Sequence, residues 1–239
     1  MLITVANNRE GSGKSTCAMN LACELAGVDI GCTDRWQGKN SVVLVDADVE
    51  GTVARFCSGG HLPVSYYHGP HEDPQGIERW VQRIRAITTE ADYIVVDGLS
   101  NVELVAETIV SLSDLVIIPC LISSVDLVMG IAPVMDLIKA SRSFRSDGGP
   151  NCLLVPTRMQ TGIAVGQAME TLRGLFRQPI GPAIHERAEF ADAFNSGRWI
   201  GDVAPNSGAH GDIKKLAAAV VLIAWRLANT EGGPVASKL

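Results

Sequence analysis

A short segment near the N terminus has the residue types of a loop that binds phosphate groups. Asn7–Thr16 reads NNREGSGKST and lies between an apolar run and the start of a helical pattern. Gly11 and Gly13 allow the backbone to turn its amides inward without interference from a Cβ atom. The helix start adds unpaired N–H groups and the positive end of the helix dipole. The segment therefore predicts binding of a nucleotide's phosphate chain.

The side chains after the glycines suggest separate tasks. Lys14 is placed to reach the β- and γ-phosphates, Ser15 to bind Mg²⁺ through its hydroxyl, and Thr16 to bind the α-phosphate. The common pattern G-x-x-x-x-G-K-[ST] is not met, because its first glycine would fall at Asn8. The alternative is a Gly-rich turn that merely contains Lys-Ser-Thr, and the strand–loop–helix context favours the phosphate loop.

Carboxylates follow two other apolar runs. VVLV ends in Asp46-Ala47-Asp48, and YIVV ends in Asp97-Gly98. A carboxylate at a strand tip beside a phosphate loop can hold Mg²⁺ directly or through water, and a second can orient an attacking water. Strand-end Asp residues can also simply cap turns, but two of them downstream of a phosphate loop favour a site.

These residues must be positioned by alternating strands and helices. Apolar runs predict strands over Leu2–Ala6, Val42–Val45, Tyr93–Val96, Leu115–Pro119, Cys152–Val155 and, weakly, Ile180–Ile184, with a further strand possible over Pro63–Tyr67. Helical spacing predicts helices over Lys14–Ala26, Ile77–Thr88, Val102–Leu112, Asp126–Ser141 (capped by Asp or Ser), Ala164–Phe176, Phe190–Asn195 and Asp212–Asn229. The stripe Leu216–Leu227 is interpreted as core packing.

The alternation predicts an α/β fold with a doubly wound, mostly parallel sheet and helices on both faces, the architecture of P-loop nucleotide hydrolases. Ligands on such sheets bind outside the carboxyl ends of the strands. Asn7–Ser15, Asp46–Gly51 and Asp97–Ser100 should therefore converge on one edge. We expect one domain over residues 1–229 and a loose tail over 230–239.

Composition narrows the class of protein. The chain has 239 residues and a net charge of −6, so a protein that coats DNA uniformly is excluded and any nucleic-acid contact needs a local basic patch. The six cysteines form no C-x-x-C pair, which indicates a reducing, cytoplasmic compartment. No secretory signal or membrane-spanning stretch is visible. Zinc is a weak alternative for Cys57, His61, His68 and His71, whose spacing fits no standard site.

Four segments together resemble the ParA/MinD family of ATPases with a deviant Walker A motif. They are NNREGSGKSTCAMNLACELA, VVLVDADVEGTVARF, the Walker B-like ADYIVVDGLS, and ERAEFADAFNSGRWIGDVAP. The resemblance covers residues 1–229. It implies ATP and Mg²⁺ as cofactors and ATP hydrolysis with weak basal activity.

The resemblance also implies roles at the nucleotide. Gly11, Ser12, Gly13 and Lys14 would cradle the phosphates, Ser15 would bind Mg²⁺, Asp48 would position the hydrolytic water, and Asp46 and Asp97 would support Mg²⁺ and its waters. The adenine would lie against Thr157–Arg158 and His185–Glu186.

One departure concerns the family's signature lysine. Its position holds Arg9, and Glu10 replaces the glycine that follows. Arginine supplies charge and a bidentate phosphate contact, but it is not equivalent to lysine. Either Arg9 replaces the lysine that reaches the partner's phosphates, or dimerisation or turnover is altered.

The resemblance further implies an ATP-dependent homodimer that binds DNA non-specifically, becomes nucleoid-associated, and is stimulated by a ParB-like or cargo-adaptor protein to segregate or position cargo. Candidate DNA contacts are Arg187, Arg198, Lys214, Lys215 and Arg226. An ordinary solvated face is the alternative for these cations. The tail is not a basic amphipathic helix, so no membrane partner is expected. Two other functions stay open: an ATP-switched scaffold that binds protein but not DNA, and a metabolic synthetase or amidotransferase of the same superfold.

Overall fold

The computed structural model describes residues 1–27, 40–47, 51–57, 62–69, 74–98, 103–121, 123, 126–160 and 163–230. Within them, six strands form one parallel sheet in the order β3-β2-β4-β1-β5-β6. The strands are β1 (Leu2–Val5), β2 (Val42–Asp46), β3 (Ser65–His68), β4 (Tyr93–Asp97), β5 (Leu115–Cys120) and β6 (Asn151–Pro156). The predicted doubly wound parallel fold is confirmed.

Helices cover both faces of this sheet. They are α1 (Lys14–Gly27), α2 (Thr52–Cys57), α3 (Pro74–Thr88), α4 (Glu103–Leu112), α5 (Ala132–Phe144), α6 (Ile163–Leu175), α7 (Ala188–Asn195), α8 (Ile200–Val203) and α9 (Gly208–Thr230), and a π-helical turn (Asp126–Ile131) precedes α5. Strand side chains alternate between the faces. Leu115 and Ile117 pack with α1 and α9, whereas Val116 and Ile118 pack with α5. The strands are buried on both sides, which explains their continuous apolar sequences.

Helix α1 is enclosed between the sheet and α9. Ala18, Leu21, Ala22 and Leu25 are all fully buried, and the two alanines let the backbone approach its neighbours closely. The first half of the predicted core stripe on α9 packs here through residues such as Leu216. The second half does not, because Leu222 is 48% exposed and Trp225 is 62% exposed.

Two predicted elements were wrong in detail, each because of proline. The helix expected from Asp126 is a π-helical turn followed by α5, which begins after Ile131 without a side-chain cap. Pro133 has no N–H to donate within that first turn, so a continuous α-helix would lose a hydrogen bond there. The weak strand at Ile180–Ile184 consists only of isolated bridges, Leu154↔Ile180 and Met159↔His185. Pro179 and Pro182 remove the donors that a regular ladder needs.

The remaining boundaries differ from prediction by a few residues. The possible strand at Pro63–Tyr67 is β3, in which Tyr66 and Tyr67 pack against opposite faces. The short helices α2 and α8 were not predicted. Within the described residues, none of the helices combines the length and apolarity that crossing a bilayer requires.

Candidate nucleotide site

The phosphate loop leaves β1 through a buried asparagine that anchors it to the neighbouring strand β5. Asn7 is fully buried, and its Nδ2 donates to the Pro119 carbonyl at 2.7 Å. Its Oδ1 accepts the Arg9 N–H at 2.7 Å, which closes a tight turn. The adjacent Asn8 donates its backbone N–H to Gly130 O and its Nδ2 to Met129 O in the π-helical turn. The loop entrance is therefore fixed to the carboxyl end of β5 and to the segment after it.

The loop itself has the backbone geometry that its glycines permit. Gly11 and Gly13 have φ values of 71° and 92°, a region that residues with a Cβ rarely adopt. Helix α1 begins directly afterwards at Lys14. The Lys14 ammonium folds back over the loop and donates to the Arg9 carbonyl at 3.0 Å. Lys14 thus lies over the cradle it is predicted to serve, with only 8% of its surface exposed.

Two buried carboxylates end the neighbouring strands. Asp46 and Asp97 are register partners at the ends of β2 and β4, and Asp97 is also paired with Val5 at the end of β1. Asp46 accepts the Ala54 N–H at 2.7 Å, which ties the first turn of α2 to the strand end. The predicted convergence on one sheet edge is found for the described residues, whereas Asp48 lies outside them.

Asp97 also acts on the first turn of α1. Burial raises the pKa of the Cys17 thiol to about 12, and the negative charge of Asp97 is the second cause. Asp97 is paired with Val5, the last residue of β1, so it lies close to the start of the phosphate loop. This placement fits the supporting role that the motif comparison implies for Asp97.

A cleft of about 610 Å³ extends from the loop to the segments around Thr157 and His185. Its size is typical of small-molecule and cofactor sites. It brings together the predicted nucleotide residues Gly11, Gly13, Lys14, Ser15, Thr16, Thr157, Arg158, His185 and Glu186, and it also includes Glu10 and Arg187. Ser12, which belongs to the loop, is fully buried.

The end of the cleft that is predicted to hold the base, here called its base side, is built by two hydrogen-bonded segments. Met159 donates its N–H to Ile184 O, and Glu186 donates its N–H to Met159 O. Arg158 has a φ of 52° and forms an exposed 3.0 Å ion pair with Glu186. Thr157 is buried, and its Oγ1 donates to the Ser12 carbonyl at 2.8 Å. The predicted pairs Thr157–Arg158 and His185–Glu186 therefore lie side by side at this end.

Asp212 contacts several residues of the same wall. It was not predicted from the sequence as a site residue. Only 2% of it is exposed, and one of its oxygens accepts the His185 N–H at 3.1 Å and lies 2.9 Å from His185 Nδ1. The same oxygen is 3.5 Å from Arg187 Nε, and the other is 3.9 Å from Lys215 Nζ. The first turns of α9 are thereby joined to the cleft. Nothing in the local sequence around Asp212 indicates partners 25 or 27 residues earlier.

An apolar wall on α7 was also missed. Phe190 and Phe194 line the cleft, and the ring of Phe194 lies 5.2 Å from that of Phe56. Their i, i+4 spacing in a predicted helix could have signalled a shared face. The wall gives the cleft an apolar surface beside its polar loops, as expected for a site that accepts a planar base.

Arg9, at the signature position, lies at the edge of this site. Its guanidinium donates to Ser123 Oγ at 3.2 Å, and its carbonyl accepts from Lys14. The side chain thus points to the segment after β5, while the backbone belongs to the phosphate loop.

The five predicted DNA-contacting cations divide into two groups. Lys214, Lys215 and Arg226 are exposed on α9, and Arg198 is exposed before α8, 3.9 Å from Asp202. Arg187 is half-buried in the cleft wall beside Asp212. The structure therefore places Arg187 with the residues that line the cleft, apart from the α9 cations.

The oxygen donors suit Mg²⁺ held together with a phosphate chain. Ser15 lines the cleft, and two buried carboxylates stand at the adjacent strand ends. Among the described residues, no three His, Cys, Asp or Glu side chains gather into a metal site of their own. Of the residues weighed for zinc, His61 and His71 fall outside the described ranges, as does the side chain of Cys57.

No protein-family model and no curated protein matches the chain. Solved structures do. McdA from Cyanothece matches with a TM-score of 0.70 at 14% identity, over 92% of this chain and 98% of that one. A ParA family ATPase from Chlorobium tepidum TLS matches with a TM-score of 0.65 at 17% identity, over 91% and 97%. The septum site-determining protein MinD from Pyrococcus horikoshii OT3, solved with Mg-ADP, matches with a TM-score of 0.69 at 16% identity, over 95% and 98%. At identities this low, the three matches show a shared fold.

Proposed function

We propose that this chain is a ParA/MinD-type ATPase that binds MgATP in the cleft, hydrolyses it, and uses the nucleotide state as a switch. The observation that carries the proposal is a glycine-shaped phosphate loop that lines a nucleotide-sized cleft together with Lys14, at the sheet edge where two buried carboxylates end β2 and β4. The fold alone would be compatible with many functions. The site residues favour this one because each meets a separate need of a magnesium nucleotide.

The loop and the residues around it would bind different parts of the nucleotide. The amides of the loop and the Lys14 ammonium would hold the phosphates, and the wall formed by Phe190 and the Thr157–Arg158 segment would hold the base. Ser15 would bind Mg²⁺ directly, with Asp46 and Asp97 accepting hydrogen bonds from its waters. Bound there, Mg²⁺ would neutralise charge that develops between the β- and γ-phosphates.

Hydrolysis requires water to attack the γ-phosphorus as the bond to the bridging oxygen breaks, releasing ADP and phosphate. In this proposal Asp48 orients the water, and Arg9 supplies positive charge to phosphates across an ATP-dependent homodimer. The Arg9 guanidinium already lies on the loop's outer edge, beside Ser123. A partner that completes this arrangement would stimulate a slow basal rate.

We further propose that the switch controls non-specific DNA binding through α9. Lys215 and Arg226 are exposed and eleven residues apart, so they lie about 16 Å apart along one helix and within roughly 20° of the same direction. Two exposed cations on one side of a helix can contact separate phosphates of a duplex. Arg187 is left out of this surface because its guanidinium lies beside Asp212. A ParB-like or cargo-adaptor partner and a role in cargo positioning complete the proposal.

One observation favours the alternative of an ATP-switched scaffold that binds protein. Carboxylates accompany the cations, with Asp212 3.9 Å from Lys215 and Asp202 3.9 Å from Arg198. They lower the local positive potential that DNA requires.

The two functions are separated by duplex-DNA retention at low salt with ATP and Mg²⁺. We expect wild type to be retained and the double variant Lys215→Glu, Arg226→Glu to lose at least tenfold in affinity, with a shallower salt dependence. Lys139→Glu is the matched control, because Lys139 is an exposed lysine with a nearby aspartate on α5, on the opposite face of the sheet. An ATP-dependent dimer that ignores DNA at low salt would favour the scaffold.

A further inference from the structure

The peptide bond between Ser12 and Gly13 is held by a side chain from the segment that follows β6. Thr157 Oγ1 donates to the Ser12 carbonyl at 2.8 Å, and both residues are buried. The methyl group of Thr157 lies 3.7 Å from the position that a Cβ on Gly13 would occupy. The hydroxyl is therefore committed to the phosphate loop, although sequence resemblance alone assigned Thr157 to the adenine.

Peptide geometry turns this contact into a constraint on the loop. A trans peptide is planar, so its C=O and N–H point in opposite directions. With Ser12 O held toward Thr157, the Gly13 N–H must point away from it. That N–H donates to none of the described residues, and Gly13 lines the cleft. The hydrogen bond from Thr157 therefore leaves this loop amide facing away from Thr157.

Thr157 is itself rigidly placed. Its N–H donates to the Cys120 carbonyl at the end of β5 at 2.9 Å. The preceding Pro156 carbonyl accepts the Ile184 N–H at 2.8 Å, which joins this segment to the base-side wall. The hydroxyl is delivered from the end of the sheet, so its position does not depend on the loop that it holds.

We propose that Thr157 is a positioning residue for the phosphate site: it orients the Ser12–Gly13 peptide so that the Gly13 amide can bind a phosphate oxygen. This inference rests on the proposed function, since it assumes a phosphate chain in the cleft. Without the hydroxyl, the buried Ser12 carbonyl loses its donor, and rotating the peptide to find another turns the amide away. The effect should fall on phosphates whether or not a base is attached.

Isothermal titration of Mg-ADP and of Mg-tripolyphosphate tests this on three proteins. Thr157→Val keeps the shape and removes the hydroxyl, and we expect affinity for both ligands to fall by the same factor, about tenfold. Thr157→Ser keeps the hydroxyl and should bind both within about twofold of wild type. If circular dichroism shows that Thr157→Val does not fold, Thr157→Ala takes its place. It removes the same hydroxyl without adding a branched methyl, and we expect the same fall in affinity for both ligands.

Three results would overturn the proposal. Wild-type affinity in the folded variant without the hydroxyl would show that the bond does not matter. Loss of Mg-ADP binding with tripolyphosphate binding retained would assign Thr157 to the base. A wild-type protein that binds neither ligand would end the proposed function together with this inference, so the two failures are distinguishable.

Discussion

At the scale of single residues, burial keeps two cysteine thiols, Cys17 and Cys152, from ionising. Cys17 lies in the first turn of α1, and burial raises its pKa to about 12, with Asp97 as the second cause. Cys152 in β6 has its pKa raised to about 12 as well, chiefly by burial. Both thiols therefore stay protonated at neutral pH, and they act as small apolar side chains.

Native Cys17 should consequently resist alkylation. At pH 8 we expect iodoacetamide to modify it at least a hundredfold more slowly in the folded protein than in urea, because the thiolate is the reactive form. Peptide mass spectrometry at timed intervals measures the rate for Cys17 and Cys152 separately. Equal rates in buffer and in urea would contradict the described burial.

The same shift gives a pH dependence with a definite sign. At pH values between the unfolded thiol pKa of about 8.5 and the folded pKa of about 12, Cys17 is deprotonated in the unfolded state and protonated in the folded state. This contribution to stability is complete below pH 8 and declines as the pH rises through that window.

At the scale of elements, Asp212 joins α9 to the wall of the cleft. The buried Asp212 carboxylate accepts a hydrogen bond from the His185 N–H and lies near the charged groups of Arg187 and Lys215. Removing one partner from a buried charged group leaves the others uncompensated. Asp212 thus links α9, the helix that carries the proposed DNA contacts, to the wall of the proposed nucleotide site.

Asp212→Asn should therefore cost stability as well as nucleotide affinity. We expect unfolding in urea to become easier by about 2 kcal/mol, since an amide can still accept the His185 N–H but carries no charge for Arg187. Asp202→Asn is the control, because its 3.9 Å pair with Arg198 is exposed and should change stability by less than about 0.5 kcal/mol. Equal effects in the two variants would deny Asp212 this connecting role.

At the scale of the whole molecule, stability depends on a sheet buried from both sides. Ile117 is fully buried in β5, next to β1, and packs with α1 and α9. Ile117→Ala should lower the free energy of unfolding by about 2–5 kcal/mol, measured in urea. Leu222→Ala on the exposed side of α9 should cost less than about 1 kcal/mol. A small loss at Ile117 would mean that the sheet's centre is not the core.

Much of this architecture could be predicted because strands of a parallel sheet that is covered on both faces have continuous apolar sequences. Once the strands were placed, Asp46 and Asp97 had to meet the phosphate loop at one edge. The exceptions have local physical causes: Pro133 interrupts a helix, and Pro179 and Pro182 break a strand into bridges.

The site was less predictable wherever a contact spans a long sequence separation. Asp212 meets His185 across 27 residues, and Thr157 meets Ser12 across 145. Neither pairing follows from periodicity or motif spacing, because each depends on how the wall of the cleft folds over α1. Motif resemblance assigned the Thr157–Arg158 segment to the adenine and named no partner for the Thr157 hydroxyl.

The most direct test of the central claim is sedimentation velocity of wild type and Lys14→Ala with Mg-ADP or Mg-ATP. We predict that wild type is monomeric with ADP and dimeric with ATP, and that Lys14→Ala is monomeric with both because the ammonium over the phosphate loop is lost. A wild type that remains monomeric with ATP would contradict the proposed switch and would mean that Arg9 does not replace the signature lysine.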